Sequence, residues 1–532
     1  MGLFTILACS QGFAPDAVPL PVSLTVEPTD ISVVSGPDGA DPTQFEAFAT
    51  YDNGETLVAE IVEWTVSNRS AGDVDDGGWF TPSTTNGGTT WVLARLAGLE
   101  GLATVTVIHE DELVVGDADA TLFDPAASDT LDPTALLYPP DGVNIPRNTP
   151  SIDFQWRDLG ADAYQLSFKS GITDISVVTS ETSWEADEDT WQQLAATNAG
   201  GTVDVTLSAS VTGDVHQADP ITIQVNRMDA RGSIIYWSTS AAGLREIPYG
   251  EQANEYMTST QTGYCVGCHA ISRQGYVAFT YDGGDGPMGV KRTEDLSDVV
   301  SHSGGINANF KTFSPDGRYL LGAFRGALSL YDGQTGARLW DVGLADTATH
   351  VDWSPDGSRV ALVLTGDHAA DWVFTGGVIA VMDHVGDGEF SEPVVVVDYG
   401  DDTNLYYPTW SPDSKWLAFN RSTGDSYDDP DAELYVVDPD KGSPVRLDAA
   451  NLSSDLTNSW PRWGPLPDDD ILWLAFASKR AYGDVVSGTP QIWLTAFDPD
   501  RARDGEDPSW PAFWLPDQEP NEGNHIPVWI DE

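Results

Sequence analysis

Two cysteines and a histidine stand together near the middle of the chain, in Tyr264-Cys265-Val266-Gly267-Cys268-His269. Thiols separated by two residues and followed at once by an imidazole form the C-x-x-C-H pattern by which a c-type haem is attached. The sulfurs would close thioether bonds to the haem vinyl groups, and the imidazole would become the proximal iron ligand. Both sulfurs must then reach one face of a porphyrin, and the two intervening residues set that reach. The same pair reads otherwise as half of a zinc site, which needs a second ligand pair, or as a redox dithiol, which needs a neighbouring βαβ pattern. The surrounding sequence supplies neither. A covalent haem c on Cys265, Cys268 and His269 is therefore the expected cofactor, with a disulfide as the other role for the pair.

The chain of 532 residues has room for two to four domains. Its 83 acidic residues against 25 basic ones give a net charge of −58, a surface that repels nucleic acid and anionic lipid. Nucleic-acid functions are excluded on that ground. So many acids with so few lysines suit solubility at high ionic strength, where screening weakens self-repulsion. Scattered Asp residues are also calcium-type ligands, but neither Asp73-Val74-Asp75-Asp76 nor Asp117-Ala118-Asp119 completes an EF-hand loop, so calcium has no support.

The third cysteine, Cys9, follows Leu3-Phe4-Thr5-Ile6-Leu7-Ala8. This segment resembles the lipobox of bacterial lipoproteins, although its apolar run is short and lacks a basic leader. The resemblance implies export and a lipid on Cys9, with the membrane reached through that anchor only. Haem attachment to C-x-x-C-H takes place outside the bacterial cytoplasm, so periplasm or cell surface is the expected location.

The elements that must position the motif are all strands. Residues 1–20 read as a signal remnant and tether. Residues 21–123 carry short alternating strands broken by turn clusters, the pattern of a β-sandwich. Their order, Ala49-Thr50-Tyr51-Asp52-Asn53-Gly54, Val62-Glu63-Trp64-Thr65-Val66 and Ala103-Thr104-Val105-Thr106-Val107, resembles the bacterial Ig-like domains of group 2, which imply a spacer. Residues 132–246 alternate again, in Phe154-Gln155-Trp156, Tyr164-Gln165-Leu166 and Ile234-Ile235-Tyr236-Trp237-Ser238, after Tyr138-Pro139-Pro140. This stretch resembles a fibronectin type III sandwich. Residues 247–271 read as a linker ending in the haem motif.

From residue 272 to 532 the chain repeats itself. Phe313-Ser314-Pro315-Asp316-Gly317, Trp353-Ser354-Pro355-Asp356-Gly357 and Trp410-Ser411-Pro412-Asp413-Ser414 each lead into an apolar strand, and the serines lie 40 to 57 residues apart. Pro presets φ, Asp bonds the backbone and Gly takes positive φ, so each unit turns tightly between two strands. That period suits one four-stranded propeller blade. The repeats resemble those of TolB-type β-propellers, and five units plus a C-terminal segment predict six blades. The fold class is thus all-β: two sandwiches and then a propeller.

Aligning the repeats on their serines places Cys268 in register with Phe310, His350 and Tyr407, on the strand that enters the turn. The resemblance makes that strand the innermost one, so the haem is expected at one end of the central channel. Candidates for the sixth iron ligand are His350, which shares the register, Met288 in the motif's own hairpin, and His525, which the ring closure would return to the first blade. The expected function is single-haem electron transfer to a redox partner in the envelope. Alternatives are a haem-dependent redox enzyme with an open sixth site, like the haem-bearing propellers of cytochrome cd-type nitrite reductases and hydrazine synthase, and a protein-binding scaffold, as TolB resemblance implies. Carrier or scaffold fits better than catalyst.

Overall fold

The structure, a computed structural model, describes residues 18–124, 129–132, 135–366, 371–400, 402–467, 470–486 and 488–531. Cys9 and the tether up to Ala17 lie outside them. Strand content dominates throughout, as the alternation predicted. No helix among the described residues is long and apolar enough to cross a membrane.

The chain divides into two compact units. The first runs to Asp111 and takes in Gly171–Ile175. It is a β-sandwich in which Pro21–Glu27 pairs antiparallel with Glu46–Tyr51, and Gly88–Leu96 pairs with both Glu63–Val66 and Leu99–Val114. Buried residues of this unit, among them Val26, Phe45, Ala47, Phe80, Val92 and Val105, form its core.

The second unit holds a smaller sandwich and the propeller. In the sandwich, Asp153–Trp156 and Ser183–Glu185 place Phe154 and Trp184 against each other, with ring centroids 5.8 Å apart. A helix that the alternation did not announce, Glu188–Thr197, covers this core with Trp191. Asp187 caps it by accepting from the Thr190 N–H at 2.9 Å, and two acids in the first turn favour the same end.

Six antiparallel sheets make the propeller. Five begin with an inner strand: β1 (Val266–Ser272), β2 (Phe310–Phe313), β3 (Thr347–Trp353), β4 (Asn404–Trp410) and β5 (Ser459–Trp463). The sixth inner strand, β6 (Asn524–Ile530), comes from the C-terminal segment and pairs with Ser233–Ser238, which continues into Gly243–Pro248 and Asn254–Met257. Two boundaries therefore shift. Ser233–Ser238, read as the last sandwich strand, is a propeller strand, and the stretch 247–271, read as linker, contributes Asn254–Met257 and the start of β1 to blades. Alternation shows that a segment is a strand but not which sheet accepts it. A ring closed by its C-terminal strand must draw the other strands of that blade from the chain ahead of the first repeat.

The turns behave as their residues require. Ser314 donates to Asp316 at 2.6 Å, and the Gly317 N–H donates to the Ser314 carbonyl at 2.8 Å with φ of 67°. In the third copy Ser414 takes the same left-handed conformation, φ 60°.

The closing blade depends on Trp529, which is buried, stacks on Tyr249 at 6.0 Å and donates to the Arg231 carbonyl at 2.9 Å. Trp529→Ala is expected to destabilise the propeller by about 3–5 kcal/mol, read as a lower denaturation midpoint by tryptophan fluorescence and far-UV circular dichroism.

Candidate functional site

The inner strands share one local distortion. Their pairing slips between Gly267 and Ala270 in β1, Thr349 and Asp352 in β3, Tyr406 and Thr409 in β4, and Ser459 and Arg462 in β5. In β6 the slip falls between the partners of Ile235 and Trp237. At each slip one residue has positive φ: Cys268 at 42°, His350 at 48°, Tyr407 at 51°, Trp460 at 57° and Ile526 at 50°. These are β-bulges, which place two residues opposite one and re-aim a side chain. Phe310 holds the equivalent place in β2 without a bulge. The register read from the serines is the one the structure uses.

These six residues line one end of the channel. Four of them stack into a stopper. Phe310 lies 4.2 Å from the His350 ring and 5.9 Å from the Trp460 ring, and Tyr407 lies 4.2 Å from His350 and 3.6 Å from Trp460. The His350 ring is locked further because its Nδ1 accepts the Tyr407 N–H at 3.2 Å. Beside the stopper is a cavity of ≈ 20 Å³, lined also by His269, Lys311 and Arg462. That is room for about one water.

His269 follows the ring position in β1 and is buried. Its Nε2 lies 3.2 Å from the Ile235 carbonyl oxygen. A carbonyl only accepts, so Nε2 carries the proton and Nδ1, which has no partner, keeps its lone pair. This bond ties the first blade to the closing blade. Burial holds the imidazole pKa down at about 3. Lys311 is buried as well and donates to the Cys268 carbonyl at 2.5 Å and to Thr280 Oγ1 at 2.8 Å. Burial lowers its pKa to about 8, with Cys268 opposing the shift.

The two thiols have separate surroundings. Cys268 lines the channel cavity, whereas Cys265 does not, and it precedes β1 where the Asp282 N–H donates to its carbonyl at 2.8 Å. Both are free thiols. Burial raises the pKa of each, so neither is driven toward thiolate.

The proposed sixth ligands are dispersed. His350 is in the ring with Cys268. Met288 is fully buried in the apolar core with Tyr276, Val290 and Leu320, away from the channel lining. Its place in the hairpin put it near the motif in sequence, but on a strand further out in the blade. His525 returns to the closing blade on β6, yet Ile526 takes the channel position and His525 sits 6.0 Å from the Trp237 ring.

A haem does not fit these residues as they are arranged. The motif runs into a strand rather than presenting both sulfurs to one cavity. The cavity is water-sized, the His269 nitrogen facing Ile235 is protonated, and the stacked rings occupy the axis. Sequence reasoning found Cys268, His350 and Tyr407 by register but missed Lys311 and Arg462. Lys311 follows its ring position by one residue and Arg462 follows Trp460 by two, so the repeat alignment held the signal.

No family model and no curated protein matches the chain. Among solved structures it is similar to a putative TolB from Agrobacterium tumefaciens, at 18% identity over 56% of this chain and 98% of that one, with a TM-score of 0.32. It is also similar to TolB from Acinetobacter baumannii, at 13% identity over 80% and 97%, with a TM-score of 0.40. Kuenenia stuttgartiensis hydrazine synthase matches at 16% identity over 52% and 79%, with a TM-score of 0.34.

Burial of the neutral His269 ring makes an acid-side prediction, with the Ile235 hydrogen bond opposing the shift. The folded pKa of about 3 lies below the free value of 6.5, so the unfolded chain takes up the proton first as pH falls. The contribution is complete above pH 6.5 and is lost progressively down to pH 3, on the order of 4–5 kcal/mol in all. His269→Gln should remove that slope. Wild-type and variant denaturation curves between pH 3 and 7 measure the difference.

Proposed function

We propose that the chain is a TolB-like propeller scaffold that holds protein partners in a bacterial envelope and carries out no redox chemistry. One observation carries this reading: the second sandwich and the last blade are locked together. Tyr482 stacks on Trp514 at 4.1 Å and meets the Tyr138 ring edge-on at 4.9 Å. Tyr138 Oη accepts the Trp514 N–H at 3.1 Å, Tyr482 Oη donates to Asp153 at 3.2 Å, and the Asp484 N–H donates to Gln155 at 3.0 Å. Buried Tyr138 and Trp514, with half-buried Tyr482 between them, join sandwich and propeller into one platform, where a flexible linker would leave two independent modules.

The repeats resemble those of TolB-type propellers, which bind proteins. A net charge of −58 favours partners with basic contact faces. Export and a lipid on Cys9 belong to the same reading and place the platform in the periplasm or on the cell surface. The electron-carrier reading rests on the spacing of Cys265, Cys268 and His269, and the haem enzyme rests on the same residues. The strand geometry and stacked channel of the preceding section disfavour both.

Chemical crosslinking in intact envelopes, followed by purification, tests the scaffold. A discrete partner at fixed stoichiometry is expected, with affinity falling about tenfold or more when salt is raised from about 50 to about 500 mM. Tyr482→Ala/Trp514→Ala, which frees the sandwich, should weaken it. A chain that captures no partner and transfers electrons to a redox protein would overturn the proposal.

A further inference from the structure

We propose that the narrow end of the propeller channel is a receptor for a small carboxylate, held by Arg462 and Lys311. This goes beyond the scaffold reading and stands without it.

The argument starts from unused donors. A guanidinium has five N–H groups, and the partner found for Arg462 among the described residues is the neighbouring Pro461 carbonyl at 3.1 Å. Asp352 is the acid that acts on Arg462, but the two form no ion pair. Its Oδ2 is already engaged by the Trp410 N–H at 2.8 Å. An ammonium has three donors, and Lys311 uses two, on the Cys268 carbonyl and Thr280. Lys311 is 7% exposed, so its last donor has little access to bulk water. Two cations beside one engaged carboxylate leave the site positive; Lys311 is buried, whereas Arg462 is half-buried, with N–H groups beyond the one on Pro461 able to meet a ligand.

Both cations line the same cavity as His269, His350 and Tyr407. His269 Nδ1 and the Tyr407 hydroxyl are buried there without partners. The cavity of ≈ 20 Å³ holds about one oxygen-sized group, so a ligand would present a single carboxylate oxygen to it rather than enter whole. A carboxylate answers these features together. Its two oxygens match the planar fork of Arg462 and leave a lone pair for Lys311, and charge-assisted bonds of this kind are the strong ones. The ligand is either a free small acid or the C-terminus of a peptide reaching into the channel mouth. Both offer the same group.

The test uses the full chain at constant ionic strength, set with a bulky sulfonate so that screening of the −58 surface does not change. Acetate, acetamide, and a short peptide with a free or an amidated C-terminus are titrated by calorimetry and thermal shift. Acetate should bind and raise the melting temperature while acetamide does not. If the free-ended peptide binds more tightly than acetate and the amidated one fails, the source is a peptide. If acetate binds and neither peptide does, it is a free acid. Arg462→Gln should weaken binding about tenfold or more, and Arg462→Lys less, because a point charge replaces the fork. If Arg462→Gln is unfolded by circular dichroism, Lys311→Gln carries the same comparison. Equal responses to acetate and acetamide, or equal acetate binding by wild type and folded variants, would overturn the proposal.

Discussion

Six inner strands converge on one axis, and at its narrow end each blade contributes a single side chain. That geometric limit governs the rest of the molecule. Five blades meet it with a bulge that turns one residue inward at positive φ, and the sixth meets it with Phe310 in regular register. Such backbone conformations cost about 1–3 kcal/mol each for non-glycine residues, and stacking among Phe310, His350, Tyr407 and Trp460 offsets part of that cost. A stopper of this kind leaves the C-x-x-C-H segment little freedom. Cys268 must be a ring member, His269 must turn to the neighbouring blade, and Cys265 falls outside the channel.

Much of this was legible in the residues. Ser-Pro-Asp-Gly turns announced blades, the alternating segments announced sandwiches, and the serine register alone put Cys268 beside His350 and Tyr407. What the sequence concealed has physical causes. Ser233–Ser238 alternates as a sandwich strand would, and only the need to close the ring assigns it to a blade with Asn524–Ile530. The helix at Glu188–Thr197 has an acidic first turn and an Asp cap, yet it is short and lies between strong strands. The cofactor expectation came from spacing, which specifies chemistry when the segment is free to fold around a porphyrin. Here the same segment is the propeller strand Val266–Ser272.

Electrostatics points the same way. Across a strongly acidic chain, two of the few cations, Lys311 and Arg462, are set at the channel end, where burial lowers the pKa of each. The acid closest in effect, Asp352, is itself half-buried and held by desolvation above the usual carboxylate range. Polar groups withdrawn from water and left without partners are a cost that a fold keeps only where another constraint requires it. At the channel end His269 Nδ1, His350 Nε2 and the Tyr407 hydroxyl are such groups.

The most direct measurement of the account is the intact mass of the exported chain, produced together with a cytochrome c maturation system and alkylated after unfolding. If the motif is the inner strand described here, the mass contains no haem, Cys265 and Cys268 both react with the alkylating reagent, and the reduced spectrum shows no haem bands. A mass raised by one covalent haem, with both thiols blocked, would contradict it.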